Sequence, residues 1–506
     1  MLTDCGLSGV NTPAVTARVC VSALSGGGGK TLFSLGLARA LTQIGQTVKP
    51  FKKGPDYIDA AWLALAAGQP VTNLDPYFLS PARLRDLFVH AVTQAKAVEK
   101  SGKTVLGLVE GNRGLYDGLD TAGSCSTAAL ARALNCPILL SLNCTKMTRT
   151  AAALVQGVCN FEPGLTFCGL VISHVGSARH ETVLRRALEY YTDMPVLGAL
   201  PRLSENPLPE RRMGIASFGE RLSATAENAL AVLASFVREH VDVAAVLAAA
   251  HCAPALREEM PFWREDAARC LSVTSGDDGD KLATRRTPLC KPRIGYVHDE
   301  ALWFYYQENL DALSLSGAEL TRLSLLDGAA WPRLDGLYLG GGFPEDMAAE
   351  LSVSPHLSML VALAQSGVPV YAECGGFMLL ARGIERDGRL WKMSGVFPVT
   401  ARFCEKPQGL GYVSARVVRE NPWFPVGLAL RGHEFHYSRC EWTGEAPSCV
   451  FLLEQGTGMG AIGGTFHDGL AHNNVFAAYT HIFAPSVPCW AHNFTRMALN
   501  CQREQL

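Results

Sequence analysis

The stretch Val19–Thr31, VCVSALSGGGGKT, constrains this chain more than any other. An apolar run of strand character leads into four consecutive glycines. A Lys-Thr pair follows and opens LFSLGLARALTQIG, which has helical spacing. Strand, glycine turn and helix in that order can cradle phosphate, because the turn's backbone N–H groups converge and the helix N-terminus adds positive partial charge. In such a loop Gly27, Gly28 and Gly29 supply N–H donors, Lys30 reaches the β- and γ-phosphates, and the Thr31 hydroxyl ligates Mg2+. The usual spacing places one more glycine where this chain has Leu24, so the loop departs from the pattern at its first position. The run Gly26–Gly29 supplies ample backbone freedom.

The same alternation continues through the first half. Short apolar runs at 19–24, 47–51, 104–111, 137–142, 167–173 and 195–200 read as strands covered on both faces, separated by helical stretches. A polar, irregular segment containing SGDDGDK and TRRTPLCKP follows, and then strand–helix alternation resumes at RIGYVHD, GLYLGGG and VPVYAEC. GYVSARVV and FAAYTHIF extend this second sheet with antiparallel character. A chain of 506 residues exceeds the ~250–300 at which single cores divide. The expected organisation is therefore a first α/β domain over 15–250, a linker over 251–291 and a second α/β domain over 292–490.

Composition excludes several classes. A net charge of −2 gives no electrostatic footprint for nucleic acid or an anionic membrane. No apolar run reaches the roughly 18 residues of a membrane span, and the N-terminus lacks the basic-then-apolar pattern of a secretory signal. The sixteen cysteines are scattered without CxxC pairs, which reads as buried thiols in a reducing cytoplasm. A soluble, cytoplasmic enzyme is expected.

Two further strand ends should meet the phosphate loop at the carboxyl edge of the first sheet. FKKGPDYIDAAW clusters Lys52, Asp56, Tyr57 and Asp59. VEGNRGLYDG presents Glu110 directly after a strand and Asp117 on a glycine-flanked turn. Glu110 stands where a carboxylate can take Mg2+. In the second half, VPVYAECGGFMLLAR sets Cys374 on a sharp turn between strand and helix, where a helix N-terminus can lower a thiol pKa. Gly341, Gly342 and Gly375 are candidate oxyanion donors. His481, in AAYTHIF, is the candidate base, with His433 and His436 of RGHEFHYS competing for the role.

FKKGPDYIDAAW, NLDPYF, VEGNRGLYDG, LPERRMG, LGGGFPE, YAECGG, GLGYV, RGHEFHYS and YTH together resemble the cobyrinate a,c-diamide synthase family, from about Val19 to Pro485. The resemblance implies a P-loop NTPase-like parallel sheet of the dethiobiotin synthetase type, followed by a class I glutamine amidotransferase-like α/β domain. It implies ATP as co-substrate, Mg2+, L-glutamine as nitrogen donor, and cobyrinate as the corrin whose a- and c-side-chain carboxylates are amidated through acyl phosphates. A homodimer is left open. By the same resemblance Cys374 is the nucleophile and His481 its base, Thr31 and Glu110 bind Mg2+, Lys52 neutralises transferring phosphate, and Tyr57, Asp59 and Asp117 bind the corrin carboxylates. Two positions depart from the family. Phe483 stands where many class I amidotransferases have the Glu that orients the base. ISHVGS, with Ser173 and His174, replaces the usual Asn-Arg near the nucleobase pocket. Hydrogenobyrinate and Ni-sirohydrochlorin remain alternative substrates. Cobyrate synthase is a further enzyme reading, and a partitioning-type nucleotide switch is the non-enzymatic one.

Overall fold

The computed structural model describes residues 15, 17–99, 102–203, 205–208, 224–263 and 291–504. The LPERRMG motif beyond Leu208 and residues 264–290 of the expected linker lie outside them. The chain divides into two compact units, whose described residues are those up to 263 and those from 291 onward. Among the described residues no single helix is long and apolar enough to cross a membrane. The described cysteines are all free thiols.

In the first unit seven strands form one sheet: β1 (Arg18–Ala23), β2 (Val48–Lys53), β3 (Thr72–Leu74), β4 (Leu106–Glu110), β5 (Ile138–Asn143), β6 (Phe167–Val175) and β7 (Val196–Pro201). Their order is β3-β2-β4-β1-β5-β6-β7 and every pair is parallel. Six correspond to the apolar runs of the sequence. β3 is only three residues long, overlapping the start of NLDPYF at Asn73 and Leu74, and carries no periodic signal of its own. β1 and β2 are buried along their whole length, as continuous rather than alternating runs require in a sheet covered on both faces. Register sets the chemistry. Val21 and Lys52 both lie opposite Glu110, so β1, β2 and β4 finish level at one edge.

Three helices pack near that edge: α1 (Lys30–Gln43), α2 (Ile58–Ala67) and α3 (Pro81–Val98). α3 starts where its sequence dictates, with Ser80 accepting the Arg83 N–H and Pro81 in the first turn, where no backbone donor is missed. The expectation that the linker begins at 251 is corrected. Leu256 bridges Val15, Arg18 donates to Pro254 O at 2.7 Å, Arg83 donates to Phe262 O at 2.7 Å, and Asp86 accepts the Glu259 N–H at 2.8 Å. This irregular segment hides its order from periodicity because buried arginine and carboxylate side chains, not a ladder, hold its backbone.

The second unit is built on a mixed sheet. Its strands run in the order Glu319–Leu323, Arg293–Val297, Gly336–Leu339, Val370–Glu373, Val475–Ala478, Thr465–His472, Cys449–Gln455, Gly409–Val417, Ala429–His436 and His481–Ile482. The first five are parallel and the rest join antiparallel. FAAYTHIF is therefore two strands. Asp468, fully buried, accepts the N–H groups of Tyr479 and Thr480 and the Thr480 hydroxyl at 3.0, 2.8 and 2.6 Å, which breaks the run before His481.

Helix packing supplies a test of the first unit. A Cβ on Gly36 of α1 would stand 2.6 Å from both Leu233 O and Val237 Cγ2 of the Ala224–His240 helix. Gly36→Ala gains about 1 kcal/mol of helix propensity but forces α1 off a backbone carbonyl, at about 1–3 kcal/mol. The variant is expected to unfold at lower urea concentration, and an unchanged or higher midpoint would show that the two helices separate freely.

Candidate functional site

The phosphate loop leaves β1 and closes with Gly29 as N-cap of α1. Gly27 and Gly29 have φ of 70° and 80°, in the left-handed region that side chains disfavour, so these two positions need glycine. Gly28 lies between them without that demand. The departure at Leu24 has a local counterpart. A Cβ on Gly114 would stand 2.4 Å from Leu24 O, and Leu115 N–H donates to Ala23 O at 2.8 Å. The EGNRG segment thus lies directly on the start of the loop.

Below the loop one ammonium is surrounded by carboxylates. Lys52, 1% exposed, places Nζ 2.7 Å from Asp59 Oδ2, 2.7 Å from Glu110 Oε1 and 3.5 Å from Asp56 Oδ2. The Thr31 hydroxyl donates to Glu110 Oε1 at 2.9 Å and reaches Asp59 Oδ2 at 3.2 Å. Burial alone would lower the Lys52 pKa; Glu110, then Asp56 and Asp59, outweigh it and raise it. Lys30 donates to Ser25 O at 3.1 Å, and burial holds its pKa below the ordinary value. Glu110 is wholly buried, and its second oxygen, Oε2, has no hydrogen-bond partner. Thr31, Asp59 and Glu110 form an oxygen-only donor set with that orphaned carboxylate atom, which suits a hard divalent cation such as Mg2+. Tyr57 is buried just before α2. Asp117 is exposed on its turn and accepts the Gly114 N–H at 2.8 Å. Of the residues singled out for the corrin, Asp59 is thus in the cluster, whereas Asp117 is bonded to the Gly114 turn and reaches the cluster only through its charge on Lys30.

A cavity of about 180 Å³ opens beside Gly29, lined by Phe33 and Phe236 with Ser173, His174, Arg202, Glu205 and Asn206. Its mixture of apolar and polar lining residues suits a small ligand carrying both apolar and hydrogen-bonding parts.

In the second unit Cys374 stands between the Val370–Glu373 strand and the Gly375–Leu380 helix with φ 49° and ψ −101°, a conformation that stores about 1–3 kcal/mol. Cys374 N–H donates to Ala478 O at 2.7 Å and Gly376 N–H to Gly340 O at 2.9 Å, which pins the elbow from both sides. The expectation of a lowered thiol pKa is corrected. Burial pushes the Cys374 thiol well up, Glu345 adds to this, and the Gly375 N–H opposes only in part. The helix supplies the expected donor, but the site is too dry for it to prevail.

The glycines are dictated by close approach. A Cβ on Gly341 would lie 2.4 Å from His481 Cε1, one on Gly342 2.0 Å from Ala301 O, and one on Gly375 3.0 Å from Gly342 N. Elbow, glycine turn and His481 therefore border one another. His481 is wholly buried, pairs across the ladder with His433, and stacks on its ring at 4.8 Å. Burial, then His481, holds His433 well below the ordinary histidine pKa. His436 is braced elsewhere, with Nδ1 2.7 Å from Ser438 O and its ring stacked on Tyr479 at 3.8 Å. Sequence reading missed Glu373, whose Oε2 is 3.5 Å from His481 Nδ1. It is the residue immediately before Cys374, and strand alternation suggests that such neighbours face apart.

Glu345 provides a test of how dry this site is. It is buried, its Oε2 has no hydrogen-bond partner, and burial, with some opposition from Arg386, raises its pKa from 4.5 to about 7. A carboxyl whose folded pKa is raised contributes stability that is fully present below pH 4.5 and lost as pH rises through about 7, on the order of 3 kcal/mol. Glu345→Gln is expected to remove that decline, measured by urea unfolding across the window. Parallel curves for the two proteins would refute it.

Residues 19–215 match the CobQ/CobB/MinD/ParA nucleotide binding domain, and residues 293–487 match the CobB/CobQ-like glutamine amidotransferase domain. A cobyrinate a,c-diamide synthase of Magnetococcus marinus is 36% identical over 478 residues, covering 94% of this chain and 95% of the relative. One from Dehalococcoides mccartyi strain CBDB1 is 37% identical over 488 residues, covering 95% and 98%. One from Methanothermobacter thermautotrophicus is 34% identical over 484 residues, covering 95% and 99%. The parallel sheet with its phosphate loop and the mixed sheet with its cysteine elbow are thus a nucleotide-binding domain and a glutamine amidotransferase domain on one chain, and that chain belongs to the cobyrinate a,c-diamide synthase family.

Proposed function

We propose that this protein converts the a- and c-side-chain carboxylates of cobyrinate to amides, using ATP and glutamine, with the residue roles given below. The reading is carried by likeness to named cobyrinate a,c-diamide synthases along both units. A carboxylate is a poor acyl donor because its oxygen leaves badly. Transfer of the γ-phosphoryl group of ATP to that oxygen makes an acyl phosphate and ADP; ammonia then attacks the carbonyl carbon and phosphate departs.

In the first unit the turn around Gly27–Gly29 and Lys30 hold the phosphates, and Lys52 balances charge as the phosphoryl group moves. Thr31 and Glu110 would hold Mg2+, which when bound neutralises phosphate charge. The orphaned Glu110 Oε2 and the oxygen-only donors support this assignment. Asp59, in the Lys52 cluster, and the neighbouring Tyr57 orient the corrin carboxylate, with Asp117 at the exposed rim. The cavity lined by Phe33 and Phe236 receives the nucleobase, with Ser173 and His174 on its wall. In the second unit Cys374 attacks the glutamine side-chain carbonyl, His481 carries the proton from thiol to departing ammonia, and the Gly341, Gly342 and Gly375 segments face the oxyanion.

Mass spectrometry of products from cobyrinate, hydrogenobyrinate and Ni-sirohydrochlorin, each with ATP and glutamine, tests the substrate. Two carboxyl-to-amide conversions on cobyrinate are expected. Turnover of the nickel compound with none on cobyrinate would replace the assignment. Cys374→Ala is expected to lower glutamine-dependent turnover more than about 1,000-fold while sparing turnover with ammonium salt, and loss of both would break the division of labour between the units. Glu110→Gln is expected to lower turnover with either nitrogen source by at least about 10–100-fold; wild-type ammonium turnover would remove Glu110 from the metal role.

A further inference from the structure

We propose that Glu373 is the positioning residue of the glutamine-hydrolysing pair, fixing the orientation and tautomer of His481. The inference rests on the reading of Cys374 and His481 as nucleophile and base. The position two residues after His481 is Phe483, whose ring packs against Tyr306 at 5.0 Å and offers no acceptor. The carboxylate comes instead from the strand paired with the segment just before His481. Glu373 ends Val370–Glu373, which pairs in parallel with Val475–Ala478, and it is 1% exposed.

Its two oxygens are held separately. Oε1 accepts the Ile482 N–H at 3.1 Å, and Oε2 accepts the Tyr338 hydroxyl at 3.0 Å and lies 3.5 Å from His481 Nδ1. Asn309 supports the same frame. Its Nδ2 donates to the Tyr338 hydroxyl at 3.2 Å and to Ile482 O at 3.0 Å, and its Oδ1 accepts the Ala484 N–H at 2.7 Å. Carboxylate and imidazole thus belong to one buried framework. The far edge of the imidazole, Cε1 and Nε2, borders Gly341, where a Cβ would stand 2.4 and 3.2 Å from those atoms.

The chemistry follows from what a carboxylate can do. It accepts and never donates, so the ring nitrogen facing it carries the proton and Nε2 keeps its lone pair for the thiol. That matters here because burial keeps the Cys374 thiol protonated until attack. The Sγ–H proton passes to Nε2 as the Sγ–Cδ bond to glutamine forms. The Cδ–N bond then breaks, the same proton goes to nitrogen, and ammonia and a γ-glutamyl thioester result. Water later cleaves the thioester to glutamate and restores the thiol.

Glu373→Gln preserves shape and one acceptor oxygen. With that oxygen on the Ile482 N–H, its NH2 faces Nδ1 and favours the tautomer whose proton sits on Nε2, the wrong form for taking a thiol proton. In the full-length protein this variant is expected to lose about 100-fold or more in glutamine-dependent kcat. Its KM for glutamine should change less than about twofold, Cys374 alkylation by iodoacetamide should slow, and ammonium-dependent turnover should persist as the control for folding. Glu373→Asp, still an acceptor, is expected to recover part of the lost kcat. Wild-type glutamine turnover in Glu373→Gln, or equal loss with glutamine and ammonium, would overturn the proposal. His481→Ala separates the two levels. Glutamine turnover surviving in that variant would overturn the underlying base assignment, whereas turnover lost in His481→Ala but kept in Glu373→Gln would overturn the role of Glu373 alone.

Discussion

The first unit depends on one buried cation. Lys52 lies among Asp56, Asp59 and Glu110, and neither Lys52 nor Glu110, both buried, would tolerate its surroundings alone. Removing one partner of a buried ionic group leaves an uncompensated charge at about 3–5 kcal/mol, so the cluster is kept together by mutual need. Parallel register makes it possible, since Lys52 and Glu110 are partners across β2 and β4 and β1 delivers the phosphate loop on the other side of β4. Asp56, Asp59 and Glu110 surround Lys52, and Glu110, Asp59 and Asp117 act on Lys30 nearby, so carboxylates outnumber ammoniums, which fits a site for a cation bound with phosphate.

The second unit solves a different problem, which is how to bring a thiol, a base and a turn of backbone into one small dry volume. Its answer is to omit side chains. The places where Cβ atoms of Gly341, Gly342 and Gly375 would stand are taken by the His481 ring, Ala301 O and the Gly342 amide. The strained Cys374 backbone is held by hydrogen bonds on both flanks rather than by its own preference. Asp468 and Asn309 fix the short His481–Ile482 strand. Buried polar groups joined in hydrogen-bonded networks, as Asp468 and Asn309 are, give such a site a single geometry.

Much of this was legible in the residues. Strand–glycine–helix order announced both the phosphate loop and the cysteine elbow, and continuous apolar runs marked six of the seven strands of the first sheet. Families of short motifs at strand ends located Lys52, Asp59 and Glu110 before their distances were known. What escaped detection has physical reasons. β3 is too short for periodicity. The segment through Phe262 is ordered by arginine side chains from distant positions. The break at Tyr479–Thr480 is imposed by Asp468 from another strand. Glu373 was invisible as a partner of His481 because they are 108 positions apart in the chain and meet only because Val370–Glu373 pairs with Val475–Ala478, the strand just before His481.

The buried thiol has a consequence beyond amide transfer. Peroxides and related oxidants attack thiolates, and a cysteine's vulnerability follows its thiolate content and exposure. Cys374 is 2% exposed, and burial holds its thiol protonated. Between turnovers the sulfur is therefore shielded from oxidative damage by the same dryness that makes it dependent on a partner for activation. A nucleophile that waits as a neutral thiol is a durable one.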